Sequence, residues 1–369
     1  MSKKIALVSN SSWSIYNYRK GIAKAFIEAG NEVLIVAPED EFSQYLVDMG
    51  CSFRHFDMES KSTNPLSDLL LLNQLKKIYQ SEKPSFAFHY TIKPNIWGCR
   101  AAKMNNIPAI AITTGLGYIF DNENLVSKIG KKLYKVNLKH AKQVWFLNNE
   151  DQKAFLAENL IPKSKAHLIP GEGVNLDEFC PKPKQVNDGK FRFLLLARML
   201  KEKGIAEFVE AARQLKNENI IFQLLGFLDW DAPNAISKST MDEWENEGVI
   251  EYLGVSNEVW KEIANSDCVV LPSYYKEGLP RTLMEANAME KPIITTDNVG
   301  CREVIIDKYN GYMCTPKSVS SLKEAMENMY NLSVEARIAM GENGRKLMAE
   351  KFDEQIIIKE YFKAIELFT

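Results

Sequence analysis

Residues 191–204 read F-R-F-L-L-L-A-R-M-L-K-E-K-G, and this stretch decides how the chain is divided. Its first half is a continuous apolar run, which is typical of a buried strand in a parallel sheet. Residues 160–190, just before it, are rich in proline and glycine and so indicate a connection between domains. Helical spacing follows over 205–216. Because a strand–helix pattern restarts here, the sequence predicts a second α/β domain.

The same alternation of strands and helices runs through both halves of the chain. Strands are expected near 3–9, 31–38, 53–56, 85–89, 109–113 and 143–147, and again near 191–197, 220–225, 249–253, 268–271 and 292–295. Such βα units predict two Rossmann-like, doubly wound parallel sheets on either side of a central cleft. We expect domains at 1–170 and 171–352, which suits a length of 369 residues. The amphipathic segment 353–369 is expected to pack back on the first domain as a helix.

The composition excludes several classes of protein. With 46% apolar and 25% charged residues, the chain has the make-up of an ordinary globular protein. Its six cysteines form no C-x-x-C pair and its four histidines lack ligand spacing, so we expect free thiols in a reducing cytosol and no metal site. No secretory signal is visible, and no apolar run is long enough to cross a membrane.

The charges are divided unevenly between the halves. Residues 1–185 carry 24 lysines and arginines against 18 acids, whereas residues 186–369 carry 22 against 30. The first half is therefore expected to meet an anionic partner. It is not basic enough to indicate nucleic acid, and no nucleic-acid-binding motif is present.

Two cations and a helix start are expected to meet in the second domain. Arg198 stands at the end of the strand 191–197, and Lys203 follows five residues later. The stretch Y-Y-K-E-G-L-P-R-T-L-M-E-A-N-A (274–288) follows another strand and opens a helix. Free amides at a helix start attract anions, so the sequence predicts a clamp for a diphosphate. The predicted helix-start residues are Gly278, Leu279, Pro280, Arg281, Thr282 and Leu283.

Glutamates flank this predicted clamp. Glu285, one turn inside the helix, has the chemistry to accept two hydrogen bonds from a ribose diol, and Glu277 precedes the helix and would meet a second sugar. The structural alternatives are a helix cap with an exposed acid and a solvated basic turn around Lys201. The two cations together with the helix start favour the diphosphate clamp, because each charge-assisted hydrogen bond contributes about 1.5–3 kcal/mol.

The motifs of the second half resemble those of the retaining glycosyltransferases of family 4, which have the GT-B fold. They are A-R-x-x-x-x-K-G (197–204), L-P-S-Y-Y-K-E-G-L-P-R-T-L-M-E-A-N-A (271–288) and K-P-I-I-T-T-D-N-V-G-C-R-E-V-I (291–305). The resemblance implies that Glu277 contacts the donor sugar, that Glu285 contacts the nucleotide ribose, and that Arg198 and Lys203 hold the donor diphosphate. These residues, with Glu277, Arg198 and Lys203 as the catalytic group, would act without a metal. The family's hinge element is matched by G-E-G-V-N (171–175).

The motifs of the first half resemble a narrower group within this family. They are S-N-S-S-W-S-I-Y-N-Y-R (9–19), K-S-T-N-P-L (61–66), H-Y-T-I-K-P-N (89–95) and T-T-G-L-G-Y (113–118). They are similar to those of bacterial capsule and glycan-assembly enzymes of the α-1,3-N-acetylgalactosaminyltransferase type, which extend a sugar on undecaprenyl diphosphate. The chain departs from the family pattern in two places. Many members have a glycine-rich loop after the first strand, whereas residues 9–14 of this chain contain no glycine. Thr114 stands where many members have a histidine that faces the donor sugar.

Several side chains of the first half are candidates for binding the acceptor. The aromatic rings have faces on which a sugar can stack, although a hydrophobic staple on the first helix explains them equally well. The basic side chains at strand-to-helix turns would meet acceptor phosphates, and His89 is a possible substitute for the family histidine or else a packed residue. The predicted acceptor-binding residues are Ser12, Trp13, Tyr16, Arg19, His89, Lys93, Thr114 and Gly115.

Residues 127–142 form a basic, amphipathic helix in the sequence, with six lysines between apolar residues. Such a helix binds an anionic membrane surface with about 1 kcal/mol per lysine. The alternative is a solvated helix face. A lipid-linked acceptor favours the membrane, so we expect a cytoplasmic enzyme that is peripheral on the inner face of the cytoplasmic membrane.

These expectations combine into one reaction. The enzyme would move a hexose or N-acetylhexosamine from a UDP-sugar to a polyprenyl-diphosphate-linked saccharide, with retention and with no cofactor besides the donor substrate. A UDP-sugar 2-epimerase of the same shape and a non-catalytic sugar-nucleotide-binding module are the alternatives. A nicotinamide dehydrogenase would need G-x-G-x-x-G after the first strand, and S-N-S-S-W-S (9–14) does not match.

Overall fold

The structure is a computed structural model, and it describes residues 2–59, 64–116, 120, 124–228, 232, 234–275 and 278–369. It divides into two compact units. Unit 1 comprises Met1–Gly173 and Glu354–Thr369, and unit 2 comprises Val174–Asp353. The division falls three residues after the predicted boundary at 170 and one residue after the predicted boundary at 352.

Unit 1 is built on a parallel sheet of seven strands, in the order β3-β2-β1-β4-β5-β6-β7. Most of these strands are apolar on both faces because helices cover the sheet on both sides. The strands are β1 (Lys4–Val8), β2 (Glu32–Ala37), β3 (Ser52–His55), β4 (Phe86–Tyr90), β5 (Ala109–Thr113), β6 (Gln143–Phe146) and β7 (Ala166–Leu168). The register is direct, with Val8 opposite both Val36 and His89.

Most helices of unit 1 follow the carboxyl ends of the strands, and several are capped by asparagine. Asn64, Asn124 and Asn148 each accept a hydrogen bond from an amide of the helix that follows, which satisfies one of its free donors. The described α-helices are α1 (Ser12–Glu28), α2 (Ser43–Asp48), α3 (Pro65–Glu82), α4 (Cys99–Met104), α5 (Leu125–Leu138), α6 (Asn149–Ala157) and, after unit 2, α13 (Glu354–Phe368).

The last helix, α13, completes the core of unit 1. The ring of Tyr361 lies 4.5 Å from that of Phe88 and 5.0 Å from that of Trp145, measured between centroids. Phe362 meets Phe26 of α1 edge to face at 5.1 Å. Aromatic pairs in this geometry add about 0.5–1.5 kcal/mol each beyond the area that they bury. Although α13 follows unit 2 in the sequence, it is therefore part of the hydrophobic core of unit 1.

Unit 2 has a parallel sheet of six strands in the order β10-β9-β8-β11-β12-β13. Its strands are β8 (Phe191–Leu196), β9 (Ile220–Leu225), β10 (Glu251–Tyr252), β11 (Cys268–Leu271), β12 (Ile293–Thr296) and β13 (Gly311–Cys314). Its described α-helices are α7 (Ile205–Leu215), α8 (Lys238–Asn246), α9 (Val259–Asn265), α10 (Arg281–Ala288), α11 (Val319–Asn331) and α12 (Val334–Lys351). The strand predicted at 249–253 is only two residues long.

Each sheet reverses its strand order at one place, which decides where ligands can bind. In unit 1 the reversal lies between β1 and β4, and in unit 2 it lies between β8 and β11. At such a switch point the loops leave the sheet in opposite directions and open a crevice at the carboxyl ends of the strands. Most of the sequence-predicted site residues end or follow these four strands, whereas Thr114 and Gly115 follow β5.

Candidate active site

The switch point of unit 2 brings together the two loops that the sequence singled out. Arg198 lies two residues beyond the end of β8, and the segment that leads into α10 leaves β11. β8 and β11 are neighbours in the sheet, with Val270 opposite Leu195. The strand ends are therefore adjacent, and both loops start from the same edge of the sheet.

Backbone hydrogen bonds join these two loops. The carbonyl oxygen of Glu202 accepts the amides of Tyr274 and Tyr275 at 2.9 and 3.2 Å and the hydroxyl of Ser273 at 3.2 Å. Gly204 has φ +76° and packs against the carbonyl oxygen of Pro272, so that a Cβ atom there would overlap it. Only glycine meets both demands without strain. The loop after β8 is thus tied to the end of β11.

The two predicted cations have different environments. Arg198 is exposed, and within the described part of the chain no hydrogen bond or ion pair holds its guanidinium. Lys203 is half-buried at the end of a short 3₁₀ turn, and its ammonium lies 5.4 Å from the centroid of the Tyr275 ring. Both residues belong to the loop 198–204, which the contacts of Glu202 hold in place.

Helix α10 begins at this edge. Its N-cap is Pro280, whose own side chain makes no capping hydrogen bond. Pro280 therefore precedes the helix, and Arg281 begins it. The positive end of a helix dipole lies at such a start and favours a bound anion. Gly278, Leu279, Thr282 and Leu283 flank this start as the sequence predicted.

Glu285 is buried, with 8% of its surface exposed, and its carboxylate is paired with an arginine. Its Oε1 accepts a hydrogen bond from Nε of Arg281, one turn earlier, at 2.8 Å. Since the helix is fixed at this turn, the pair presents a carboxylate with a defined orientation. Arg281 was predicted only for its backbone, and its side chain is an addition to the site. Glu277 lies outside the described residues.

Two further side chains that the sequence analysis missed position this site. Asn298 donates from Nδ2 to the carbonyl oxygens of Ser273 and Tyr275, at 3.3 and 2.6 Å. Thr296 donates its hydroxyl to the carbonyl oxygen of Ser273 as well. Both residues belong to the T-D-N-V-G-C-R segment (296–302), where polar residues at the end of a buried strand and just after it were the available signal.

Not all of the predicted acceptor-binding residues at the switch point of unit 1 are exposed to solvent. Arg19 is 2% exposed, forms an ion pair with Glu172, and lies 4.0 Å from the centroid of the Tyr90 ring. Its Nη1 donates to the carbonyl oxygen of Ser14 at 2.8 Å. The prediction that Arg19 meets an acceptor phosphate is therefore corrected: this side chain is part of the core.

Two other predicted acceptor residues are also packed inside. His89 is fully buried, with Nε2 at 2.6 Å from the hydroxyl of Tyr79, and burial lowers its pKa to about 3. Ser12 is buried and donates to the carbonyl oxygen of Pro38 while accepting from Ser43. Both predictions are wrong in this structure because these side chains bond within the protein. His89 takes the packed alternative.

The remaining acceptor candidates lie nearer the surface. Trp13 is 44% exposed and meets Tyr18 edge to face at 5.2 Å, and Tyr16 is half-buried against Phe42 and Tyr45. The ammonium of Lys93 is paired with Asp68 at 3.0 Å. The half-buried backbone at Thr114 and Gly115 follows β5.

A strained threonine marks the end of β4. Thr91 has φ +68°, which is unfavourable for a β-branched residue. Its buried hydroxyl and that of Thr113, at the end of β5, have no hydrogen-bond partner among the described residues. Strain and unsatisfied hydroxyls at this edge of the sheet indicate a functional role. Both residues lie in motifs that the sequence analysis quoted, 89–95 and 113–118, but neither was named there as a site residue.

The predicted basic helix is α5, which ends at Leu138 rather than at 142. It exposes apolar side chains beside lysines: Leu125, Val126, Ile129 and Val136 are between 39% and 72% exposed. Its exposed lysines are Lys128, Lys132 and Lys135. No helix in the described ranges has the length and apolarity needed to span a bilayer. Likewise, the described residues contain no cluster of three metal-ligating side chains.

Comparison with known proteins defines the class. The family model described as glycosyl transferases group 1 matches residues 177–347, and the model described as glycosyl transferase 4-like matches residues 4–148. Together they cover the site in unit 2 and most of unit 1. The chain belongs to this glycosyltransferase family, as the sequence motifs predicted.

Two relatives and one solved structure are similar to the chain over most of its length. The chain is 32% identical over 376 aligned positions to the N,N'-diacetylbacillosaminyl-diphospho-undecaprenol alpha-1,3-N-acetylgalactosaminyltransferase of Campylobacter jejuni, covering 98% of this chain and 97% of that protein. It is 24% identical to the UDP-Gal:alpha-D-GlcNAc-diphosphoundecaprenol alpha-1,3-galactosyltransferase of Escherichia coli, covering 71% and 70%. Among solved structures, Anabaena Alr3699/HepE in complex with UDP superposes with a TM-score of 0.82 at 16% identity, covering 98% and 99%. The expected GT-B fold is confirmed.

Proposed function

We propose that the chain is a retaining glycosyltransferase that moves a hexose or N-acetylhexosamine, with GalNAc favoured, from a UDP-sugar to a polyprenyl-diphosphate-linked saccharide. One observation carries the proposal: Arg198, Lys203 and the start of α10 follow adjacent strands at the switch point of unit 2. The donor and acceptor classes are supported by the names of the relatives, since both name a diphosphoundecaprenol-linked sugar and one names UDP-Gal.

The chemistry proposed for this site is the stabilisation of a leaving diphosphate. As the bond between the anomeric carbon and the diphosphate oxygen breaks, negative charge grows on the nucleotide. Arg198, Lys203 and the amides at the start of α10 would meet this charge, and donors that are oriented towards it contribute about 3–4 kcal/mol each when measured by deletion. No metal ion is required for this charge balance.

Retention follows in this proposal from attack on the face that the leaving group departs from. An oxygen of the departing diphosphate takes the proton of the acceptor hydroxyl while the new glycosidic bond forms. Glu277 would contact the donor sugar at this stage, and the Glu285 carboxylate, oriented by Arg281, would hold the ribose hydroxyls. The products are UDP and an acceptor that is longer by one sugar.

The test measures UDP release with a panel of UDP-sugars, with and without a lipid-diphosphate saccharide acceptor. Arg198→Ala is expected to lower kcat/KM by about 10²–10³. Arg213→Ala is a matched control, because Arg213 forms surface ion pairs on α7 and is expected to leave the rate unchanged. Glu277→Ala tests the sugar contact.

The outcome also separates the alternatives. Acceptor-dependent UDP release supports transfer. UDP release without an acceptor, accompanied by a free epimerised sugar, indicates the 2-epimerase, and binding without turnover indicates a non-catalytic module. Inversion at the anomeric carbon of the product contradicts the retaining mechanism while leaving the transfer itself intact.

We further propose that α5 contacts an anionic membrane surface and holds the enzyme near its lipid-linked acceptor. The support is the exposed combination of Leu125 and Ile129 with Lys132 and Lys135 on one helix. Lys132→Gln/Lys135→Gln is expected to weaken co-sedimentation with phosphatidylglycerol vesicles roughly tenfold or more, at about 1 kcal/mol per lysine. Unchanged co-sedimentation contradicts this contact.

A further inference from the structure

A basic pocket lies in unit 1 at the amino ends of β5, β6 and β7. It is an open cavity of about 500 Å³, and its lining includes Lys103, Lys139, His140, Lys142, Lys165 and Phe368. Lys142 directly precedes β6 and Lys165 lies one residue from β7 in the sequence. The strands rise about 3.3 Å per residue, so roughly 15 Å of sheet separates this pocket from the carboxyl edge. It is therefore distinct from the switch point.

The pocket carries an excess of positive charge. Across the described ranges, no carboxylate lies within ion-pair distance of Lys103, Lys139, Lys142 or Lys165, although Lys131 of the neighbouring helix is paired with Glu158 at 2.8 Å. The lining includes no acidic residue. Like charges that are held together raise the free energy of the folded protein, and a bound anion offsets that cost.

A fifth cation stands behind the pocket. Nη1 of Arg100 lies 3.2 Å from Nε2 of His140, and because a guanidinium can only donate, the imidazole accepts there in its neutral form. Burial, reinforced by Arg100 and the surrounding lysines, lowers the pKa of His140. The histidine is thus a neutral neighbour that reports on the local charge.

The partial negative charges at the C-terminal ends of nearby helices offset only part of the positive charge of the pocket. The ammonium of Lys165 donates to the carbonyl oxygens of Lys139 and Ala141, both at 2.6 Å, just beyond the end of α5. Each helix C-terminus carries about half a negative charge, so the ends of α4 and α5 together balance about one of the five cations. Among the described residues, no hydrogen bond or ion pair holds the ammonium groups of Lys103, Lys139 and Lys142.

We propose that the basic pocket binds a phosphate-bearing anion, such as a diphosphate or a phosphate-ester headgroup, at a site separate from the glycosyl-transfer site. Lysines bind phosphate as point charges on flexible stems, and several of them around one cavity suit a ligand with more than one negative charge. The ring of Phe368, 5.9 Å from the ammonium of Lys142, gives the cavity one apolar wall.

The binding test uses inorganic pyrophosphate and the NMR signals of the His140 ring. The full chain carries Arg198→Ala and Lys203→Ala, so that the clamp in unit 2 does not compete. A saturable shift of the His140 signals is expected. Lys103→Gln/Lys142→Gln is expected to weaken binding by about tenfold or more, whereas Lys77→Gln/Lys153→Gln, two exposed lysines elsewhere on unit 1, leaves it unchanged.

A second measurement separates the two sources of phosphate. If Lys103→Gln/Lys142→Gln also loses binding to phosphatidylglycerol vesicles while the control pair keeps it, the ligand is a lipid headgroup. If vesicle binding is equal in both and only pyrophosphate binding falls, the ligand is a free phosphate compound. His140 signals that do not move with millimolar pyrophosphate, or equal pyrophosphate affinity in the two double variants, overturn the proposal.

Discussion

Replacing Arg19 by leucine tests whether its side chain stabilises the core of unit 1 or binds the acceptor. The guanidinium is almost fully buried, pairs with Glu172 and stacks on Tyr90 at 4.0 Å. Removing one partner of a buried ion pair costs about 3–5 kcal/mol, because the other charge is left without compensation. Loss of the stacking adds about 1–2 kcal/mol. We therefore expect Arg19→Leu to destabilise unit 1 by roughly 4–7 kcal/mol.

The assay is thermal unfolding combined with a double-mutant cycle. At about 2–4 °C per kcal/mol for a unit of this size, Arg19→Leu is expected to lower the Tm of unit 1 by roughly 8–28 °C. Adding Glu172→Gln removes the uncompensated charge, so the double variant is expected to recover part of this loss. Arg54→Leu, which breaks the surface pair with Glu82, serves as control and is expected to cost about 1 kcal/mol or less.

One result would refute this reasoning. If Arg19→Leu melts like the parent and instead raises KM for the lipid-linked acceptor, the side chain contacts the acceptor in solution, and the buried pair does not describe the working enzyme. If Tm falls as expected while KM for the acceptor stays constant, Arg19 is a structural residue.

Three further changes test other parts of the molecule. Gly204→Ala forces a Cβ atom into the end of β11 at a positive φ, so we expect weaker UDP binding and a Tm lower by several degrees; a variant with unchanged UDP affinity contradicts this. Asn298→Ala removes two hydrogen bonds to the loop 273–275 and is expected to lower kcat about tenfold, whereas Asn343→Ala, which also loses an amide-to-carbonyl bond, is expected to retain it. His89 has a folded-state pKa of about 3, below its unfolded value, so the unfolded chain binds more protons between these values. The Tm is therefore expected to fall as pH drops from about 6.5 towards 3, and His89→Gln is expected to flatten that slope, as calorimetry at several pH values would measure.

The strands and the site of unit 2 could be predicted because their signals are local. A continuous apolar run such as 191–196 identifies a buried strand, and Arg198 directly after it is placed at the sheet edge by chain connectivity alone. The two loops at the switch point of unit 2 were found in this way. The order of the strands in each sheet was not predicted, because the general rules of βα connections narrow the possible orders without choosing one.

The environment of individual polar residues could not be predicted in the same way. Arg19 meets Glu172, which is 153 positions away, and no local pattern announces such a pair. His89 and Ser12 are polar, so the sequence alone does not distinguish them from exposed site residues. The polar groups to which they form hydrogen bonds are buried with them. Glu202 was missed because its contribution to the site is a backbone carbonyl, which the identity of a side chain does not reveal.

The placement of α13 has a consequence for how the chain can be made and cut. Residues 174–353 form a contiguous piece with its own sheet, but residues 1–173 lack the helix whose Tyr361 and Phe362 close their core. During synthesis the domain that emerges first from the ribosome is therefore finished last, after all of the other has been translated. Removal of residues 354–369 would destabilise unit 1 and leave the core of unit 2 complete, and a fragment ending at Gly173 would need α13 supplied as a separate peptide.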